Sequence, residues 1–349
     1  MTSEQLQPSL AKRFAVTGRE LLREFAYQDW LVFIYFVVLC VLSLTAPPGQ
    51  GRDVCVVGMH GLMLCFLVVV TAVRTKAIRG TFWAPMAYRL GVYGSVQASY
   101  FFLRDLLPLV NPTRNFDAPL YRLDLALFGF EPAVYFASWV SPGMTEWFSF
   151  FYFSYFCLLG FHIFPVLELA RNQQLLGEFC FSMIWLYCVG HFLYLLVPGF
   201  GPVIALSHEF STPLPNGLWY DMVIATVSGA GAQMDIFPSL HTAAPVFFTL
   251  FAYRHRDRLP FRYAWPVLAF FSLNIMLATM YLRWHWIIDV IAGVAHASTA
   301  LYVAQRLTAS ELARRKALDL TQNWPRFAPF SRRRRDSRPS ASSGTLRPA

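Results

Sequence analysis

The feature of this sequence that most constrains its fold is a series of eight apolar segments, each about as long as a bilayer is thick. A hydrocarbon core takes roughly 20 apolar residues of helix, and lipid admits only helices and closed barrels. Charged residues make up 14% of the chain, against about a quarter in soluble proteins. The pattern therefore predicts an all-α, polytopic membrane bundle. The predicted spans are 30–47, 54–73, 88–108, 145–168, 176–198, 237–254, 263–282 and 285–305.

Two parts of the chain depart from this pattern. The third span is interrupted by Arg89, Gln97 and Arg104. Between the third and fourth spans, residues 120–140 read LYRLDLALFGFEPAVYFASWV, an amphipathic stretch that contains Pro132. Such a stretch is typical of a helix that lies in the plane of the bilayer surface. We therefore expect an interfacial or re-entrant helix here rather than another span.

Lysine and arginine are distributed unequally between the two sides that eight spans define. With the N-terminus in the cytoplasm, 24 of the 29 basic residues lie on the cytoplasmic side. Cytoplasmic loops of membrane proteins carry such an excess. The count predicts an integral protein of a bacterial inner membrane or a secretory-pathway membrane, with both termini in the cytoplasm.

A basic tail follows the last span. Residues 331–344 read SRRRRDSRPSASSG and lack the apolar residues of a folded segment, which predicts disorder. Two interpretations are open: the tail contacts anionic lipids of the cytoplasmic leaflet, or it is solvated and its charge only sets the orientation. Nucleic acid is not expected as a partner.

Three short motifs meet on the extracytoplasmic side of this topology: VPGFGP at 197–202, DIFPSLH at 235–241 and YLRWH at 281–285. His285 and Asp289 lie four residues apart, a spacing that stacks two side chains on one face of a helix. A carboxylate beside an imidazole fixes its tautomer and leaves Nε2 free to react. A carboxylate inside a membrane helix also marks a functional site. A structural pair and a metal site are the alternatives for these two residues.

Three more polar residues stand near the same ends of the spans. Arg283 could hold a phosphate oxygen, or extend to the bilayer surface as interfacial arginines do. Ser239 and His241 open span six, where a helix N-terminus favours an anion, although Ser239 could equally be the cap of that helix. Two imidazoles can transfer a phosphoryl group when one attacks phosphorus and the other protonates the leaving oxygen. No metal ion or other cofactor is expected, because no further cluster of ligands completes a coordination sphere.

The motifs FPSLHTA and RWHWIIDVIAG resemble those of the type 2 phosphatidic acid phosphatase superfamily. Their histidines are 44 residues apart with one span between them, which suits that superfamily. The closer resemblance is to its inositol phosphorylceramide synthase branch, through the order His-aromatic-x-x-Asp and the upstream stretch LRDLLPLVNPTRNFDAPLYRLDLALFG. The similarity covers roughly 95–305.

The resemblance implies a role for each residue that matches these motifs. His285 would be the nucleophile that becomes phosphohistidine, and Asp289 would orient it. His241 would act first as the general acid and then as the base that activates the acceptor, while Ser239 would contact phosphate.

The same resemblance divides the chain around a six-helix catalytic core. The ranges are 1–29 for a cytoplasmic segment, 30–87 for two accessory membrane helices, 88–306 for the core and 307–349 for a basic, disordered cytoplasmic tail.

The chain departs from the superfamily in its cations. The first motif, Lys-x6-Arg-Pro, is absent near span five, and the arginine usually found six residues before the last histidine is Thr279 here. Arg283 would have to substitute for it, and Arg104 or Arg114 would supply further positive charge.

The predicted function is a membrane-embedded phosphotransferase that moves a phosphoryl-containing headgroup from a phospholipid to a lipid alcohol. Inositol phosphate is the headgroup that the resemblance implies. With water as acceptor the protein would instead be a lipid phosphate phosphatase. A non-catalytic transporter, channel or scaffold is the alternative from another class.

Overall fold

The computed structural model describes residues 18–162, 172–230 and 234–327. Within these ranges the chain is largely helical and contains no strand beyond one parallel bridge between Gly199 and Asp235. The α-helices are, in chain order, α1 (Gly18–Glu24), α2 (Tyr27–Thr45), α3 (Gln50–Arg74), α4 (Trp83–Arg89), α5 (Ser95–Val110), α6 (Asp117–Phe128), α7 (Pro132–Phe136), α8 (Pro142–Phe161), α9 (Gln173–Leu196), α10 (Pro202–Ala205), α11 (Leu218–Ala230), α12 (Leu240–Arg254), α13 (Phe261–Tyr281) and α14 (Ile287–Ala317).

Each of the eight predicted spans contains a helix of the structure. Five helices among the described residues, α2, α3, α9, α13 and α14, are long and apolar enough to cross a membrane. The third span is a helix in two parts, α4 and α5, joined by a π-helical turn at Leu90–Gly94. The architecture confirms the predicted polytopic bundle. Residues 163–168 of the fourth predicted span lie outside the described residues.

The amphipathic stretch 120–140 forms two short helices rather than one. α6 ends at Gly129, which adopts a left-handed backbone conformation with φ of 76°, as glycine does readily. Pro132 is the first residue of α7, where its missing N–H costs no hydrogen bond. Glu131 caps that helix, because its Oε1 accepts the backbone N–H of Ala133 at 3.1 Å.

The last helix runs further than the sequence pattern indicated. α14 continues to Ala317, so the predicted start of the tail at 307 falls inside this helix. Its polar final turns are packed rather than solvated, since Arg315 forms a buried ion pair with Glu311 at 2.7 Å. The basic run 331–344, predicted to be disordered, lies outside the described residues.

A buried polar cluster closes the end of the bundle at which α3 and α14 finish. Arg74 pairs with Asp29 at 2.7 Å, and Tyr88 donates its hydroxyl to the other oxygen of that carboxylate at 2.6 Å. Arg74 also donates to the carbonyl of Asn323, and Trp324 is fully buried against the Tyr88 ring. These five residues are called the basal cluster below.

Candidate active site

The starts of α12 and α14 meet at the end of the bundle opposite the basal cluster. The backbone N–H of Ser239, just before α12, donates to the carbonyl of Asp289 in α14 at 3.1 Å. Gly293 permits this approach, because a Cβ at that position would lie 2.6 Å from the carbonyl oxygen of Ser239. The two histidine motifs are therefore joined backbone to backbone.

The two histidines of these motifs share one cavity. The ring centroids of His241 and His285 are 6.4 Å apart, and both rings line a cavity of about 680 Å³. Reacting atoms in a productive complex lie about 3 to 3.5 Å apart. A phosphorus atom between the rings could meet that distance to a nitrogen of each.

His285 and Asp289 are neighbours, although not through a shared helical face. His285 lies in the turn between α13 and α14, and Asp289 lies in the first turn of α14, where its Oδ2 accepts the backbone N–H of Trp286 at 3.0 Å. The same Oδ2 is 3.4 Å from Nδ1 of His285. A capping turn, rather than a helical i,i+4 stack, brings the two side chains together.

Burial lowers the pKa of His285 to about 4, and the nearby carboxylate of Asp235 opposes this shift. The imidazole of His285 is therefore neutral, as a nucleophile must be.

Aromatic side chains of α8 hold His241 in place. The Tyr152 ring stacks on the imidazole with centroids 4.4 Å apart, and its hydroxyl lies 3.3 Å from Nε2. Tyr155 packs against the same ring at 4.2 Å. The sequence interpretation missed both tyrosines, because nothing in the spacing of α8 indicates which of its aromatic residues faces α12.

Ser239 is the N-cap of α12. Its Oγ accepts the backbone N–H of Thr242 at 3.2 Å, and the residue is fully buried. Of the two interpretations of this serine, the structure shows the cap. Contact with a phosphate stays a prediction.

None of the three arginines named from the sequence lines the cavity. Arg283 is buried, but its guanidinium donates to the carbonyl of Thr212 at 2.9 Å and lies 4.0 Å from the centre of the Phe210 ring. Arg114 is exposed and donates to the carbonyl of Leu196 at 2.9 Å, and Arg104 is exposed on α5. The structure thus brings together the two histidines, Asp289 and Ser239 but not these cations.

Two acidic residues of α6, which the sequence interpretation missed, position the loops of the site. Asp117 accepts the backbone N–H groups of Phe200 and Gly201, each at 2.9 Å, and the indole N–H of Trp286 at 3.1 Å. Asp124 accepts the N–H groups of the first two residues of α14 at 2.8 and 3.0 Å. The two carboxylates are seven residues apart and so lie on one face of α6. This spacing of acidic residues in a mostly apolar helix was the available sequence signal.

The described residues contain no group of three or more His, Cys, Asp or Glu side chains placed to hold a metal ion. The side chains of Asp289, His285 and Asp235 lie at or near the cavity. Asp289 accepts the N–H of Trp286 and lies 3.4 Å from the neutral His285, and Asp235 accepts the hydroxyl of Tyr100. A reaction without a metal ion stays a prediction.

The comparisons with known proteins give one family. Neither the curated proteins nor the solved structures include a match to this sequence. The family described as the PAP2 superfamily, which is the type 2 phosphatidic acid phosphatase superfamily, matches residues 118–303, just over half of the chain. That range contains both histidines, Asp289 and Asp124 of α6, and it begins one residue after Asp117. The chain belongs to the PAP2 superfamily.

Proposed function

We propose that this protein transfers a phosphoryl-containing headgroup from a phospholipid to a lipid alcohol through a phosphohistidine on His285. Membership of the PAP2 superfamily supports a lipid phosphatase or phosphotransferase. The observation that carries the finer proposal is the pair of imidazoles, 6.4 Å apart across one cavity. Inositol phosphate remains the headgroup that the resemblance to one branch of the superfamily implies.

In the first step, Nε2 of neutral His285 attacks phosphorus and a P–N bond forms. The bond from phosphorus to the diacylglycerol oxygen breaks, and that oxygen takes a proton from His241, which enters the step as the protonated imidazolium and becomes neutral. In the second step the acceptor hydroxyl gives its proton to His241 and attacks phosphorus, and the P–N bond breaks. Asp289 supports the first step by holding the imidazole of His285 in one tautomer, and the N-terminus of α12 faces the phosphate oxygens.

The charge of the cavity favours transfer from a diester over hydrolysis of a monoester. A phosphomonoester carries up to two negative charges, and no lysine or arginine of the described residues lines the cavity. A diester carries only one negative charge, so its transfer from water is less costly. The phosphatase is the second candidate, with water entering in place of the lipid alcohol.

The test is to trap the intermediate on the full-length protein. The protein is reconstituted in lipid, supplied with phospholipid labelled at phosphorus, and quenched in alkali, which preserves phosphohistidine. We expect label on the wild-type protein and none on His285→Ala. His208→Ala is the matched control, because His208 is an exposed histidine outside the cavity, and it should be labelled like the wild type.

The products then separate the two reactions. With ceramide or diacylglycerol present, a new phospholipid identifies the transferase, whereas release of inorganic phosphate from phosphatidic acid identifies the phosphatase. Activity should persist in EDTA. Label on the His285→Ala protein would overturn the proposal, and a transport activity without any lipid product would favour the non-catalytic alternative.

A further inference from the structure

Among the described residues, the lining of the cavity that holds both imidazoles includes one carboxylate, which the mechanism above does not use. Asp235 lines the cavity, four residues before Ser239, and no lysine or arginine of the described residues shares that lining. Its Oδ2 accepts the hydroxyl of Tyr100 at 2.6 Å, and its backbone is fixed by the bridge to Gly199. A negative group is thus held in place inside a site that must accept an anionic phosphate.

Burial raises the pKa of Asp235, while the hydrogen bond from Tyr100 and the proximity of His285 act in the opposite direction. A carboxylate kept in an apolar cavity is costly unless a positive charge or several donors balance it. Arg283, the nearest cation in sequence to His285, is occupied by Phe210 and Thr212 instead.

The rest of the wall is rich in aromatic rings. The tyrosines that line the cavity are Tyr100, Tyr152, Tyr155, Tyr187 and Tyr194. Aromatic rings attract cations through the negative charge of their faces, and cages of such rings recognise ammonium groups. One face of Tyr152 already stacks on His241 and one face of Tyr100 on His191, so a cation would meet the opposite faces of these two rings or the other three tyrosines. One carboxylate with an aromatic wall is the chemistry of a site for a positively charged amine.

We propose that Asp235 and this aromatic wall select a donor headgroup that carries a positively charged amine, as in an ethanolamine or choline phosphodiester. This inference rests on the proposed function. In such a headgroup one oxygen and two carbon atoms separate the nitrogen from phosphorus. When the phosphate lies between the two histidines, the ammonium group therefore lies within the same cavity. Its charge offsets that of Asp235, and the headgroup enters with no net charge.

A headgroup without an amine fits the cavity less well. A phosphodiester of inositol or glycerol has a net charge of −1, and beside Asp235 it would place two negative charges in one cavity. Like charges at short distance in a poorly solvated site disfavour each other strongly. The charge of the cavity therefore favours an amine over the inositol that the family resemblance implies.

The test compares donors on the full-length protein and on Asp235→Asn. Phosphatidylcholine, phosphatidylethanolamine, phosphatidylinositol and phosphatidylglycerol with the same acyl chains are supplied separately, and kcat/KM is measured for each. We expect the wild type to prefer one of the amine donors by at least about tenfold. Asp235→Asn should reduce that preference by a similar factor, because the amide keeps the shape of the side chain without its charge.

One control variant and one binding measurement complete the test. Asp221→Asn removes an exposed charge outside the cavity and should change nothing. Glycerophosphocholine, glycerophosphoethanolamine and glycerophosphoinositol are also titrated by calorimetry, so that headgroup binding is measured without turnover. Thermal unfolding of each variant shows that it is folded.

The outcomes separate the two proposals. Label on His285 from an anionic donor, with no preference for amines, would overturn the headgroup proposal and leave the phosphotransferase standing. No label from any donor would contradict the phosphotransferase. In that case the calorimetric titrations decide the headgroup proposal. It would be overturned as well if neither glycerophosphocholine nor glycerophosphoethanolamine bound more tightly than glycerophosphoinositol.

Discussion

At the scale of single residues, the site depends on one carboxylate with two contacts. Asp289 is fully buried, its Oδ2 accepts the N–H of Trp286 and lies near Nδ1 of His285, and its Oδ1 has no partner among the described side chains and backbone. The capping contact needs only an oxygen atom, whereas support of the imidazole needs the negative charge. A substitution that keeps the oxygen and removes the charge separates these contributions.

Asp289→Asn is that substitution. We expect kcat to fall at least about a hundredfold, since an amide no longer favours the reactive tautomer of the histidine. KM and the unfolding temperature should change little, because the Asn oxygen can still accept the N–H of Trp286. Steady-state kinetics and thermal unfolding check this. Unchanged kcat would show that the pair with His285 is structural, which was one of the alternatives open from the sequence.

At the scale of helices, the sequence predicts where most of the helices lie, but it does not predict the contacts between separate helices and loops. Apolar length predicted the helices, and the motifs predicted that His241 and His285 belong to one site. Nothing local indicated that Arg283 would turn towards Phe210 and Thr212, or that Asp117 and Asp124 would hold loops 80 to 170 residues away. Such contacts depend on how separate helices pack, which hydrophobic periodicity does not encode.

Gly293 lies where α12 and α14 approach each other closely. In Gly293→Ala the added Cβ would meet the backbone of Ser239 at 2.6 Å and the side chain of Thr242, so α12 and α14 must separate. We expect a loss of kcat/KM of about a hundredfold, as displacement of reacting groups by 1 Å can cause. Gly160→Ala is the control, because nothing lies within 4 Å of its added Cβ. Equal activity of the two variants would contradict this account.

Glu131 makes the junction between α6 and α7 sensitive to pH. Burial, together with repulsion from Asp124, raises its pKa above the ordinary value of 4.5. The folded protein therefore binds this proton more tightly than the unfolded chain, and the resulting stability is lost as pH rises above about 5 through the higher folded pKa. Glu131→Gln mimics the protonated form, so its unfolding temperature should fall less than that of the wild type between pH 5 and pH 9. Parallel curves for the two proteins would contradict the assignment.

At the scale of the whole molecule, the two ends of the bundle differ in chemistry. One end carries the basal cluster, in which Asp29 and Arg74 are buried against the chain that follows α14. The other carries the cavity and the two histidines. The helices α12, α13 and α14, which follow one another along the chain, alternate in direction. The connection between α12 and α13, rich in arginine, therefore lies at the basal end, and the connection between α13 and α14 lies at the site.

This polarity gives a prediction about sidedness. Because basic loops stay in the cytoplasm, the basal end should be cytoplasmic and the site extracytoplasmic. We expect Ser211→Cys, an exposed position next to Thr212 at the site end, to react with a membrane-impermeant maleimide in intact cells. Asp257→Cys, exposed at the other end, should react only after permeabilisation. The unsubstituted protein is the control, because its labelling measures the reaction of the six native cysteines.

The opposite labelling pattern would reverse the orientation and with it the pool of substrate. A site that opens outside the cytoplasm takes its donor from the outer or lumenal leaflet and has no access to soluble cytoplasmic phosphate esters. Donor and acceptor must then both be lipids that reach that leaflet. The direction in which the bundle is inserted therefore limits what the two histidines can act on as firmly as the side chains of the cavity do.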